Sequence, residues 1–291
     1  MISKIRMIEA AKAAEDVVAG ETVLPIDPFK IAQSRDITVK AIDSETPGLS
    51  GFLMKSGDAF GIGYATRIKN AGYINFTVSH ELGHYFIPGH VEKLFASSSG
   101  THSSRSGFIT ADPYEREADL FAATLLMPSG LFRKATRSAG EGFPAIERLA
   151  NQCVTSITAT SIRFAEFSEN AVAVIVSNDG AVDFCCLSSV LQELRGVTWM
   201  RHGDPIPTGS TTARFSGHPQ NIANGVRMEG CSMLDEWLDY APHIEMKEDV
   251  VGLGHYGRTL TVLFTDTEVE SEDSDEEQDS FDRCQRWEKS R

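Results

Sequence analysis

The spacing of apolar residues changes character along the chain. At the N-terminus Ile5, Ile8, Ala11 and Glu15, with Val17 and Val18, recur at helical intervals and stop near Gly20, which predicts a packing helix. LPIDPFKIAQSRDITVKAI reads as a turn, a short helix from Pro28 to about Ser34 and a strand through Ile37, Val39 and Ala41. GFLMKSGDAFGIGYA has the form of a hairpin turning at Ser56-Gly57-Asp58. A further short strand is expected at 72–75, before a helix that begins near Thr77 or Ser79, whose hydroxyl could cap its first turn. ASSSGTHSSRSG, residues 96–107, shows no periodicity and reads as a mobile surface loop. Pro113 then opens a helix that runs through YEREADLFAATLLM and stops at Pro128.

Two more helical segments, 130–137 and 144–167, precede a change of period. AVAVIVSNDGAVDFCCL is a strand, an Asn178-Asp179-Gly180 turn and a second strand. Strands are also expected in GVTWM, STTARF and GRTLTVLF, with a short helix near 188–195. The pattern therefore predicts an α+β protein in four parts: residues 1–130, a helical stretch 131–168, a mixed α/β domain 169–265, and a tail 266–291.

Charge sharpens the last boundary. The 291 residues carry a net charge of −14, and the stretch from Asp266 alone carries −7, too acidic and too poor in apolar residues to fold by itself. An acidic chain has little non-specific attraction for nucleic acid or anionic lipid. Five cysteines without C-x-x-C spacing argue against a disulfide framework, and the charged N-terminus lacks the apolar core of a secretion signal. A cytoplasmic protein without a membrane-spanning segment is expected.

The candidate chemistry lies in residues 80–84, His-Glu-Leu-Gly-His. On a helix, positions i and i+4 share a face, so His80 and His84 can offer imidazole nitrogens to one metal while Glu81 projects beside them. Chance would supply roughly 0.02 such motifs in a chain of this composition. Zinc suits the ligands, and Mn2+ or Fe2+ would fit them too; Glu81 would then serve as general base toward a water activated at the metal. A third ligand is needed. With Glu115 set at 0° on the downstream helix, the apolar side chains centre near 300°, Asp119 falls at 40° and Glu117 at 200°, farther round toward solvent. Glu115 is the expected ligand and Glu117 the alternative, with Asp119 a possible acceptor for a ligating histidine. His90 and His102 could approach the metal but read more simply as surface residues; Tyr64 or Tyr85 could bind an oxyanion.

FTVSHELGHYFIPGH followed by EREADLFAATLLMP resembles the ImmA/IrrE family of zinc metallopeptidases, and PIDPFKIAQSRDITV resembles that family's N-terminal segment. The resemblance spans residues from about 5 to 167. It implies a zincin-like fold for residues 1–130, with an acidic residue commonly at the place of Glu115. AIERLANQCVTSITATSIRF is similar to the helix-turn-helix-like segment of longer, IrrE-like members, and LGHYGRTLTVLFTD to the end of their GAF-like sensor domain. Only Arg148 and Arg163 enrich that helical segment, against Glu147, so direct DNA binding is not expected. The resemblance implies an endopeptidase that cleaves a helix-turn-helix repressor, releasing stress, DNA-damage or mobile-element genes. A non-proteolytic regulator that sequesters a repressor or antitoxin is the alternative. Gly252 to Gly257 matches G-x-G-x-x-G but leads into a strand, so a Gly-rich turn is expected in place of a dinucleotide site.

Overall fold

The computed structural model describes residues 2–43, 48–66, 69–96, 100–105, 112–265 and 267. The chain forms two compact units, one of Met1–Lys134 with Ala150–Ser156 and one of Ala135–Leu149 with the residues from Ile157 onward. Among the described residues no helix is long and apolar enough to cross a membrane.

The first unit begins with α1 (Ile2–Val17), α2 (Pro28–Gln33) and β1 (Thr38–Ile42). Asp27 starts α2 by accepting from the backbone N–H groups of Phe29 and Lys30, with Pro28 just inside the helix. The hairpin β2 (Leu49–Ser56) and β3 (Ala59–Ala65) follows, then α3 (Ala71–Phe86), α4 (His90–Phe95), β4 (Thr101–Arg105) and α5 (Pro113–Leu126). The sheet has the order β1-β3-β2-β4, with β1 parallel to β3 and the other pairs antiparallel. Ala10 and Ala14 from α1, Leu53 and Ile62 from the hairpin, Val78 and Leu82 from α3, and Phe121 and Leu125 from α5 make a continuous buried core. Each of the larger side chains contributes on the order of 2 kcal/mol of burial.

Two glycines set the distances that matter. A Cβ on Gly51 would lie 2.6 Å from Thr77 Cγ2 and 3.1 Å from Glu81 Oε1, so the bare backbone of β2 lets α3 settle onto the sheet. A Cβ on Gly83 would meet Ala118 Cα at 3.1 Å, so α3 and α5 touch closely where the histidine motif faces the acidic helix.

α6 (Ser129–Ala139) and α7 (Gly142–Cys153) are shared between the units, and α8 (Ile157–Phe167) opens the rest of the second. Val154, at φ +53°, breaks the helix expected over 144–167 into α7 and α8. In the second unit β5 (Ala171–Asn178) and β6 (Ala181–Leu187) form the expected hairpin. Asp179 and Gly180 both adopt positive φ, as a type I′ turn requires. α9 (Ser189–Gln192), α10 (Thr211–Ser216), α11 (Pro219–Ala223), β7 (Arg227–Met233), α12 (Leu234–Trp237), β8 (Glu245–Gly252) and β9 (Thr259–Thr265) complete it. Its sheet is antiparallel throughout, in the order β6-β5-β9-β8-β7, over a core that includes Ile175, Leu191, Leu234, Trp237 and Leu263.

Several local expectations are corrected. Residues 72–75 are helical, because Asn70 caps α3 by accepting from Tyr73 N and draws its start back to Ala71. The Ser-rich stretch contains a strand: β4 pairs with β2 across 101–105, while 97–99 and 106–111 lie outside the described residues. STTARF is helical, since Ser210 accepts from Ala213 N and the Glu248 carboxylate accepts from the N–H groups of Thr211 and Thr212 at the same terminus. GVTWM supplies only a single bridge, Thr198 to Asp239. The glycine-rich stretch at 252–257 is a short 3-10 turn ending in Gly257 at φ +66° before β9. Except for Thr267, the acidic tail lies outside the described residues.

Candidate metal centre

α3 carries His80, Glu81 and His84 on its buried length, and α5 brings Glu115 opposite them. His80 Nε2 lies 3.1 Å from His84 Nε2, and Glu115 approaches both, Oε2 at 3.3 Å from His80 Nε2 and Oε1 at 3.3 Å from His84 Nε2. Three potential ligand atoms thus crowd one point. The second nitrogen of each imidazole is already engaged: His80 Nδ1 is 2.9 Å from Asp119 Oδ1, and His84 Nδ1 is 3.0 Å from His90 Nδ1. Occupied Nδ1 atoms leave both Nε2 atoms for the shared point. Two imidazoles and a carboxylate in this arrangement fit a divalent metal such as zinc.

The electrostatics of the unliganded cluster reflect this crowding. Burial lowers the His80 basicity, but hydrogen bonding to Asp119 and Glu115 outweighs it and raises its pKa to about 10. Burial and the neighbouring His80 and His102 hold His84 down at about 3, despite Glu115. Glu115 sits well below the ordinary carboxylate range: hydrogen bonds from His102, His80 and His84 overcome the opposing effect of burial.

Glu81 is different from every other acid nearby. It is completely buried, and among the described residues neither carboxylate oxygen has a hydrogen bond of good geometry, the Ser104 hydroxyl interacting with it only weakly. Burial pushes its pKa up to about 7, against the pull of His80. A desolvated carboxylate titrating near neutrality beside a metal-ligand cluster is suited to taking up and releasing a proton.

Glu117, expected toward solvent, is buried: α1 packs over that side of α5, and Arg6 Nε and Nη2 donate to Glu117 Oε1 and Oε2 at 2.7 and 2.8 Å. Its carboxylate is turned away from the three-atom cluster and accepts from His90 Nε2 at 2.8 Å. His90, expected on the surface, has no exposed area, because α4 folds it between His84 and Tyr114. His102, also expected on the surface, lies on β4 with Nε2 2.9 Å from Glu115 Oε1 and its side chain 20% exposed. Tyr64 and Tyr85 pack as rings against Phe29 and Phe60 in the core. Arg6 and the inward role of His102 escaped the sequence reading; the alternation in THSSR, with His102 and Ser104 on the more buried side, was the available signal.

Residues 32–142 match the family model described as Peptidase_M78, IrrE N-terminal-like domain. This stretch is similar to an IrrE N-terminal-like domain. It contains all four residues of the expected site, whereas Arg6 and most of the second unit fall outside it. No curated protein matches the chain. Among solved structures, a Mycobacterium tuberculosis transcriptional regulator is similar in fold, with a TM-score of 0.55 at 12% identity, over 91% of this chain and 81% of that one. The chain thus resembles a peptidase family over residues 32–142 and, in fold, a transcriptional regulator.

Proposed function

We propose that the protein is a metal-dependent endopeptidase that acts on a helix-turn-helix transcriptional repressor. His80, His84 and Glu115 hold the metal, most simply zinc, and Glu81 is the general base. The observation that carries this reading is the pairing of a three-atom ligand cluster with a fully buried carboxylate that has no well-formed hydrogen bond among the described residues. A divalent cation at the cluster supplies Lewis acidity and stabilises developing negative charge. Glu81 accepts the proton of the attacking water and passes it to the leaving amine as the peptide bond breaks. Asp119 and His90 hold the two imidazole rings in orientation. β4 is an end strand of its sheet, paired with β2, and its other edge suits the addition of an extended peptide next to Glu115.

The peptidase family and the regulator-like fold support a transcription factor as substrate. The net charge of −14 would attract the basic DNA-binding surface of a repressor. We assign the second unit, a single antiparallel sheet flanked by helices, to a GAF-like sensor or docking role. The test is Glu81→Gln with zinc retained: cleavage of a candidate repressor is expected to fall by about 10²- to 10⁴-fold. Unchanged cleavage would remove Glu81 from the mechanism, and tight binding without cleavage by the parent chain would make the protein a sequestering regulator.

A further inference from the structure

We propose that His90, Glu117 and Arg6 form a hydrogen-bonded relay that positions His84 for metal binding, an inference that rests on the metal-centre reading above. Arg6 fixes Glu117 through two parallel bonds, at 2.7 and 2.8 Å. An ionised carboxylate only accepts, so the contact of 2.8 Å to Glu117 Oε2 makes His90 Nε2 a donor. In the neutral ring Nδ1 is then an acceptor, and it faces His84 Nδ1 at 3.0 Å. His84 Nδ1 must therefore donate, which leaves its lone pair on Nε2, the atom that meets His80 and Glu115.

The polarity of the chain of bonds is fixed from its far end. His84 and His90 are without exposed area and the Glu117 side chain is 3% exposed, so bulk water reaches the chain of bonds only at its Arg6 end, which is 29% exposed. The Tyr114 ring closes the side, edge-on to His90 at 5.0 Å and beneath the Arg6 guanidinium at 4.9 Å. His80 is supported differently, by one contact to Asp119, whose side chain is 44% exposed. The two ligating imidazoles are thus held by unequal devices, and the longer one depends on α1, which lies outside the family match. His90, Glu117 and Arg6 are positioning residues: none touches the shared point, and each acts through His84.

The experiment uses the full chain and Zn2+ alone. Long-range proton–nitrogen correlation of the metal-free protein should find His84 protonated on Nδ1 and His90 on Nε2; the opposite tautomer of His84 would overturn the proposal. Zinc titrated in competition with a chromophoric chelator should bind His90→Phe roughly 10- to 100-fold more weakly than the parent, at one metal per chain. Equal affinity would overturn the relay. Should His90→Phe fail to fold, Arg6→Gln, at a side chain 29% exposed, carries the test: severalfold weaker zinc binding supports the relay, and parental affinity contradicts it. The parent's own stoichiometry reports on the underlying reading: a parent that takes up no zinc removes both, whereas a parent that binds zinc no better than its variants removes the relay alone.

Discussion

Both units bury acidic side chains, and Glu81 of the first is treated unlike Glu117 beside it or Glu248 and Asp249 of the second. In the second unit Glu248 is 1% exposed and accepts from Thr211 N, Thr212 N and Thr212 Oγ1. Asp249 is 5% exposed and accepts from Phe143 N and from Arg227. In the first unit Glu81 is equally buried and, among the described residues, has no well-formed hydrogen bond. A satisfied buried carboxylate ties elements together, whereas an unsatisfied one costs stability and is retained for chemistry. Under the proposed mechanism, the contrast separates an acid that holds a fold from one poised to react.

The contrast breaks if the two kinds of acid respond alike to substitution. Glu81→Gln should give the largest effect, a loss of about 10²- to 10⁴-fold in peptide cleavage with no loss of folding stability, read by turnover and by denaturant titration. Glu248→Ala should do the reverse. It should cost about 3 kcal/mol in a denaturant titration, because Thr211, Thr212 and their backbone donors lose their acceptor, while zinc stoichiometry stays at one per chain. Zinc at 100 times its Kd should stabilise the protein by about 2.7 kcal/mol, and hydrogen exchange should place the added protection in α3 and α5, sparing β5 and β9.

The smallest expected effect concerns cysteine. Burial raises the pKa of Cys153 and of the half-buried Cys185 from 9.0 to about 12, so both should be alkylated more slowly than exposed Cys231 in the native protein at pH 8, Cys153 the slowest. The folded state keeps these protons where the unfolded state has lost them. Their burial is therefore neutral below pH 9 and destabilises increasingly as pH rises from 9 toward 12, which an alkaline unfolding series would measure.

How much of this was legible in the sequence varied with the range of the forces involved. His80, Glu81 and His84 share one helix, so their geometry follows from a period of 3.6 residues. The NDG hairpin was equally local. Glu115 required the relative rotation of two helices, and apolar periodicity gave its sector. The same wheel misplaced Glu117, since no local pattern reveals that α1 brings Arg6 across from a position 111 residues away. β4 was missed because its residues are small and polar; its ladder to β2, and not apolar content, makes it a strand. STTARF was misread for a similar reason: an acid 37 residues downstream supplies acceptors to the start of α10.

The most direct test of the central claim compares zinc-loaded parent chain, the same chain after chelation, and zinc-loaded Glu81→Gln on a library of protein-derived peptides, with new N-termini read by mass spectrometry. The account predicts a defined set of cleavages made by the zinc-loaded parent and absent from the other two. Identical cleavage by the parent and Glu81→Gln, both with zinc bound, would contradict it.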